Sequence, residues 1–241
     1  LVKEIAERYR PDRIELESPD FMGFSHGYHH EKDGLPVLPE DDFLLGICFC
    51  AHCLVRARAA GVDGQAAQVV VAGLLDAAFA RELPEAQFLN FPAEGIAAFA
   101  RIPALHAYLS WRSEPVTSLI AEIKSVVPTG VRVLLIDFEG SWWGGVDLAA
   151  VAPHIDGLLY CAYFTEVSRI VDLMSEARQR IGPQKTLIAG FQLFYPNLKD
   201  RNDLAARVGA ASPWADGFNF YNLGLVPAKR LDWIRTSLAR T

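Results

Sequence analysis

Hydrophobic and polar positions alternate in two distinct rhythms along the chain, and the rhythms succeed one another in order. Val131–Phe138, Gly157–Phe164, Thr186–Tyr195 and Gly217–Tyr221 are short β-branched or aromatic runs bounded by breakers such as Pro128-Thr129-Gly130, the signature of strands. Between the second and third runs, Val167, Ile170, Val171, Met174 and Ile181 recur at helical spacing until Gly182-Pro183 stops them. Further helices are predicted over residues 200–211 and 227–238. The N-terminal end repeats the pattern: a helix over 2–9, a turn at Pro11-Asp12 and a strand over Arg13–Glu17. Five strands, each followed by helical sequence, predict an α/β fold with a parallel sheet and right-handed crossovers.

Residues 18–130 separate the first strand from the second, far more than a usual βα connection. Helical spacing recurs inside this stretch at 42–60, 65–80 and 116–127, and residues 19–112 are read as a mainly helical insertion within one domain spanning 1–241. Five βα units do not close an eight-unit barrel. The expectation is therefore the C-terminal five units of a TIM (β/α)8 barrel, with the first three preceding Leu1. The alternative is an open doubly wound parallel sheet, which would normally carry a Gly-rich phosphate loop after its first strand; none is present.

Polar residues interrupt the strands where a buried parallel sheet should be apolar. Ile14 and Leu16 share one face of the first strand, and Glu15 and Glu17 the other; Leu134, Ile136 and Phe138 share one face of the second, and Asp137 and Glu139 the other. If the apolar faces pack under helices, the carboxylates converge on the barrel axis near the strands' C-terminal ends, where barrels of this kind place catalysis. Glu17 with Asp137 is then the candidate catalytic pair, Glu139 the reserve, and Glu15 a deeper supporting group. Tyr163, Gln192, Asn219 and Tyr221 add polar groups at comparable positions. Trp142, Trp143, Phe164, Phe194 and Tyr195 gather beyond the strand ends. Acids, amides and aromatic faces around one mouth suit a sugar, and two carboxyl groups flanking a glycosidic bond would suit its hydrolysis. Other readings remain open: acids that only balance buried bases, a metal-dependent sugar isomerase or hydrolase, or a barrel that binds carbohydrate without turning it over.

The segment Ser25-His26-Gly27-Tyr28-His29-His30-Glu31 follows the first strand. His26, His29 and His30 are read as substrate contacts, with metal ligation as the lesser reading. Cys48-Phe49-Cys50-Ala51-His52-Cys53 resembles a metal knuckle. On a helix, at about 100° per residue, Cys50 and Cys53 share a face and Cys48 points away. Unless the stretch unwinds, these cysteines are small buried hydrophobes. The basic residues of 167–181 and 199–207 are read as solvated helix faces. No metal and no cofactor is assigned.

Composition narrows the partners. Of 241 residues, 51% are hydrophobic and 22% charged, an ordinary globular balance. A net charge of −6 without a Lys/Arg block argues against nucleic acid, and no apolar run reaches the length of a membrane span. Cysteine usage fits reduced thiols and a cytoplasmic location.

Ile14-Glu15-Leu16-Glu17-Ser18, the His-rich loop and Leu45-Gly46-Ile47-Cys48-Phe49-Cys50-Ala51-His52-Cys53 together resemble barrel proteins grouped with the glycoside hydrolases, distantly similar to family-42-type β-galactosidases. The resemblance covers most of the chain and implies a (β/α)8 fold and a carbohydrate substrate. In many retaining barrel glycosidases the acid/base lies on strand four and the nucleophile on strand seven. Counted that way, strand seven here is Thr186–Tyr195, with Gln192 where a carboxylate is expected. Either the pair lies on strands four and five, or the hydrolytic machinery is incomplete.

Overall fold

A computed structural model of the chain describes residues 1–26 and 37–239. It falls into two compact units: residues 1–17, 120–139 and 148–241, and residues 18–119 with 140–147.

The first unit is an α/β half-barrel. After helix α1 (Val2–Tyr9), strands β1 (Arg13–Glu17), β2 (Arg132–Phe138), β3 (Gly157–Cys161), β4 (Thr186–Gln192) and β5 (Gly217–Tyr221) form one curled, open, wholly parallel sheet in the order β1-β2-β3-β4-β5. Sequential order has no switch point, so the doubly wound alternative is set aside. Right-handed crossovers wound always in one direction put every connecting helix on the same face. The helix between β3 and β4 (Val167–Ile181) shows why it packs: Ile170, Leu173, Met174, Ala177 and Ile181 are buried at helical spacing. The helix between β4 and β5 (Arg201–Ala211) is capped by Asp200, whose carboxylate accepts from the amides of Asn202 and Asp203.

Two Asp-Gly pairs set the strand starts. The Asp156 amide donates to the Val133 carbonyl, while its carboxylate accepts from the Val133 amide and from Lys124 Nζ. Asp216 repeats the pattern two strand pairs along: its amide donates to the Leu187 carbonyl and its carboxylate accepts from the Leu187 amide and from Arg178. The glycine after the first aspartate is required by space, since a Cβ on Gly157 would lie 2.6 Å from the Thr186 carbonyl oxygen. Arg178 closes the arrangement by donating to the carbonyls of Lys185 and Trp214 as well. It is not the solvated residue expected from the sequence; its guanidinium is largely covered because it serves the strand starts.

The second unit is helical. Numbering the helices in chain order from α1, it holds α2 (Pro39–Leu45), α3 (Ala51–Ala59), α4 (Gly64–Phe79) and α5 (Pro103–Trp111). The next helix, α6 (Ser113–Ser125), belongs in part to each unit. Its core is aromatic: Phe43, Phe99, Tyr108 and Trp111 are buried, with Phe49, Phe88, Phe91, Trp142 and Trp143 packed against them. Glu40 is buried as well, and its carboxylate accepts from the amides of Gln87 and Phe88. The expected insertion at 19–112 thus stands beside an observed unit that also includes 140–147. No helix among the described residues is long and apolar enough to cross a membrane.

Burial alone would raise the Asp156 carboxyl, yet the bonds from Lys124 and Val133 outweigh it and hold the group below its ordinary value. A depressed folded-state pKa stabilises above the unfolded value, and that contribution is lost as pH falls through the folded one. Asp156→Ala should therefore cost about 1–3 kcal/mol near neutrality. Its deficit relative to the unsubstituted chain should shrink progressively below about pH 4, as followed by denaturant unfolding at each pH.

Candidate functional site

Paired residues in a parallel ladder point to the same side, and neighbours along a strand to opposite sides. The register therefore assigns each side chain a face. Glu17 pairs with Ile136, Ile136 with Leu159 and Leu159 with Ile188; Phe138 pairs with Cys161, Cys161 with Gly190 and Gly190 with Asn219; Gln192 pairs with Tyr221. Glu15, paired with Leu134, shares that face. The other face carries Leu16, Leu135, Asp137, Tyr160, Ala189 and Phe218.

The second face lies under helices. Arg180 and Glu176, on the Val167–Ile181 helix, both act electrostatically on the Tyr160 hydroxyl. Burial first, and then Asp137, push that phenol upward. Asp137 is 3% exposed, and one of its oxygens accepts from the Phe138 amide.

The expected pairing of Glu17 with Asp137 on one face is not what the register gives. Glu17 stands on the face that the first unit's connecting helices leave free, the helix-free face of that unit's described residues, and Asp137 on the face they cover. The reason is that β2 is apolar on both sides, Val133 and Leu135 being as buried as Leu134. Alternation therefore says which residues share a face but not which face is inward. Glu139 follows Asp137 in parity; it accepts from Thr165 Oγ1 at 3.1 Å and lies 3.6 Å from Arg169. Glu15 is ion-paired with Arg13 at 2.8 Å.

What the helix-free face gathers at its C-terminal rim is an aromatic ledge. Tyr163 stacks on Tyr221 with ring centres 5.7 Å apart; Phe138 meets Tyr163 edge-on at 6.1 Å, and Phe194 meets Tyr221 edge-on at 5.8 Å. Phe138 is 41% exposed and Tyr221 44%. Phe164 and Tyr195 are more exposed still. Phe138 was missed in the sequence because it shares parity with Leu134 and Ile136, which reads as a helix-packing face. Cys161 lies in the same row as Asn219; burial pushes its thiol up to about 11, against a hydrogen bond with Tyr163. Burial, the Cys161 bond, Tyr221 and Glu17 together push the Tyr163 phenol upward. At Cys161 both Asp137 and Glu17 add to the upward push.

Loops behind the ledge are held by one buried cation. Arg207 donates to the Thr165 carbonyl at 2.9 Å and to the Asn197 carbonyl at 3.2 Å, while pairing with Asp203 at 3.0 Å. Asn197 in turn donates to the Gln192 side-chain oxygen at 2.7 Å. The sequence placed Arg207 on a solvated helix face; it is 8% exposed because three acceptors surround it.

Other expected residues fall elsewhere. Trp142 and Trp143 pack in the second unit's aromatic core, each about 5 Å from the Phe43 ring (5.2 and 5.1 Å). Arg112 lies in the same core. Its guanidinium sits over Phe21 at 4.7 Å, donates to the Trp143 carbonyl at 3.2 Å and is held down to about 10 by burial. His29, His30 and the side chain of His26 lie outside the described residues. Ser25, just before His26, is anchored by its amide and hydroxyl to the Asp42 carboxylate.

The cysteine stretch departs from the helical expectation. α3 begins only at Ala51, with Cys50 at its N-cap, so Cys48 and Cys50 lie on non-helical backbone. The sulfurs of Cys48, Cys50 and Cys53 all lie within 4.8 Å of one another. The Cys53 amide, the neighbouring thiols and the His52 amide hold the Cys50 thiol down to about 7, although the approach falls short of a full capping hydrogen bond.

No family model, curated protein or solved structure matches the chain.

Arg207→Ala would remove the ion-pair partner of Asp203 and the donor to the buried Thr165 carbonyl and the half-buried Asn197 carbonyl. We expect a loss of about 3 kcal/mol, read as a lowered midpoint in thermal or denaturant unfolding.

Proposed function

We propose that the helix-free face of the half-barrel recognises a carbohydrate at its C-terminal rim. The observation that carries this reading is the aromatic ledge of Phe138, Tyr163, Tyr221 and Phe194, sharing its face with Glu17, Gln192 and Asn219. Aromatic faces cover the apolar side of a pyranose, and a carboxylate with two amides suits its hydroxyls. In the same reading the five strands correspond to five units of a (β/α)8 barrel, a fold that keeps its ligands at the strands' C-terminal ends.

Recognition is favoured over hydrolysis. A two-carboxylate mechanism needs acid and base on either side of one bond. Glu17 and Asp137 belong to opposite faces of the sheet by register, and Glu139 is engaged by Thr165 and Arg169. Of the acids proposed for catalysis, Glu17 remains on the ledge face.

Binding of mono- and oligosaccharides, screened on a glycan array and measured by calorimetry, tests the proposal. Tyr163→Ala and Tyr221→Ala should each weaken the selected sugar about tenfold or more, which is about 1.4 kcal/mol. Glu17→Gln should weaken it as well, and Asp137→Asn should leave it unchanged in protein that remains folded. Affinity indifferent to both tyrosines would overturn the reading. Hydrolysis of aryl glycosides that is abolished by Glu17→Gln would instead restore an enzyme.

A further inference from the structure

We propose that Cys48, Cys50 and Cys53 form a thiolate site for a single zinc ion in the second unit, its fourth position taken by water. This rests on observations separate from the carbohydrate reading.

The first is distance. Tetrahedral zinc with Zn–S bonds of about 2.3 Å separates its sulfurs by about 3.8 Å, from the geometry of the tetrahedron alone. Cys48 and Cys53 stand 3.7 Å apart, already at that edge length, and the third sulfur completes a triangle with no side above 4.8 Å. Cys50 is exposed and sits on the non-helical side of the helix start. Its side chain is therefore free to make the last adjustment, and an exposed ligand leaves solvent access to the fourth position. An iron–sulfur cluster, with each cysteine on a different iron, would spread the sulfurs well beyond this triangle.

The second observation is that the backbone is held in the shape the site needs. A continuous helix would turn Cys48 away from its partners. Instead the Tyr108 hydroxyl, fully buried, donates to the Cys48 carbonyl at 2.7 Å, and Phe49 stacks on the Tyr108 ring at 4.8 Å. Those contacts pull Phe49 into the core and leave Cys48 and Cys50, its neighbours on either side, to turn toward the sulfur cluster. Tyr108 has no room to relax: a Cβ on Gly64 would come within 3.0 Å of its ring.

The third is charge. Three thiolates and one divalent cation carry a net negative charge. The buried Arg112 guanidinium acts electrostatically on Cys48 and Cys53, and the N-terminus of α3 adds a favourable dipole. Soft sulfur donors select zinc over the hard cations.

The test uses the full chain purified under reducing conditions with no added metal. Elemental analysis is expected to find about one zinc per chain. After chelation and reloading, zinc chloride should titrate to the same stoichiometry, and cobalt(II) chloride should give the visible and charge-transfer bands of a tetrahedral thiolate site. Cys50→Ser should weaken zinc binding at least about 100-fold, more than the loss of an outer-shell partner, whereas Cys161→Ser should leave it unchanged. Circular dichroism checks each variant's fold; if a variant does not fold, the metal content and titration of the unsubstituted chain decide. Reduced protein that neither contains nor takes up zinc overturns the proposal. So does stoichiometric iron or copper, a Cys48–Cys53 disulfide in zinc-free protein, or a folded Cys50→Ser variant with undiminished affinity.

Discussion

Strand order and register in the parallel sheet decide everything else in the first unit. Because β1 to β5 follow one another without a reversal, their crossovers turn the same way and deliver the connecting helices to one face. The other face receives none of the first unit's connecting helices among the described residues, and which face a side chain takes depends on its parity along a strand. A slip of one residue would exchange Glu17 and Leu16, or Phe138 and Asp137. The Asp-Gly pairs at the starts of β3 and β5 oppose such a slip. Each aspartate engages both backbone groups of one residue on the preceding strand, and Gly157 permits the approach that a side chain would block.

Register also explains why the acids divide as they do. Asp137 occupies a position where the sheet packs against helices, close to a Tyr160 phenol kept protonated by burial. Glu17 occupies the opposite face at the first strand, where the cover is thin. The acids look equivalent in the sequence because each interrupts an apolar strand near its end. Only the pairing Glu17↔Ile136 separates them.

Element types were legible because their periods are strong. On the Val167–Ile181 helix Ile170, Met174 and Ile181 are buried as the amphipathic pattern predicts, with Leu173 and Ala177 completing the buried face and Val171 left exposed; four strands fall within apolar runs bounded by turns, and β1 within an alternating one. Facing and partnership were less legible, since both depend on residues distant in sequence. Arg178 and Arg207 read as solvated cations on amphipathic helices; carbonyl oxygens from loops and strand ends bury them. Trp142 and Trp143 follow β2 closely enough to suggest its rim, yet Phe43 and Phe91, far upstream, provide a core for them. The cysteine stretch read as helix because Leu44 to Arg58 contains no Pro and only Gly46 as a breaker. Its unwinding depends on Tyr108, sixty residues further on.

The two candidate sites share a physical device. Irregular backbone has carbonyls that no helix or strand satisfies, and burying them without a partner is costly. In the first unit Arg207 supplies donors to Thr165 and Asn197, and the loop after β4 presents Asn197 to Gln192 as a result. In the second, Tyr108 supplies one donor to Cys48, and the loop presents sulfurs instead. In each case a buried side chain with an obligatory polar group satisfies a backbone that could not otherwise remain irregular. The candidate groups at the surface are then positioned by packing beneath them as well as by contacts among themselves. That arrangement separates the consequences of substitution: replacing Tyr163 or Cys50 removes a group of the proposed sites from an intact frame, whereas replacing Arg207 or Tyr108 removes the support that holds such groups in place.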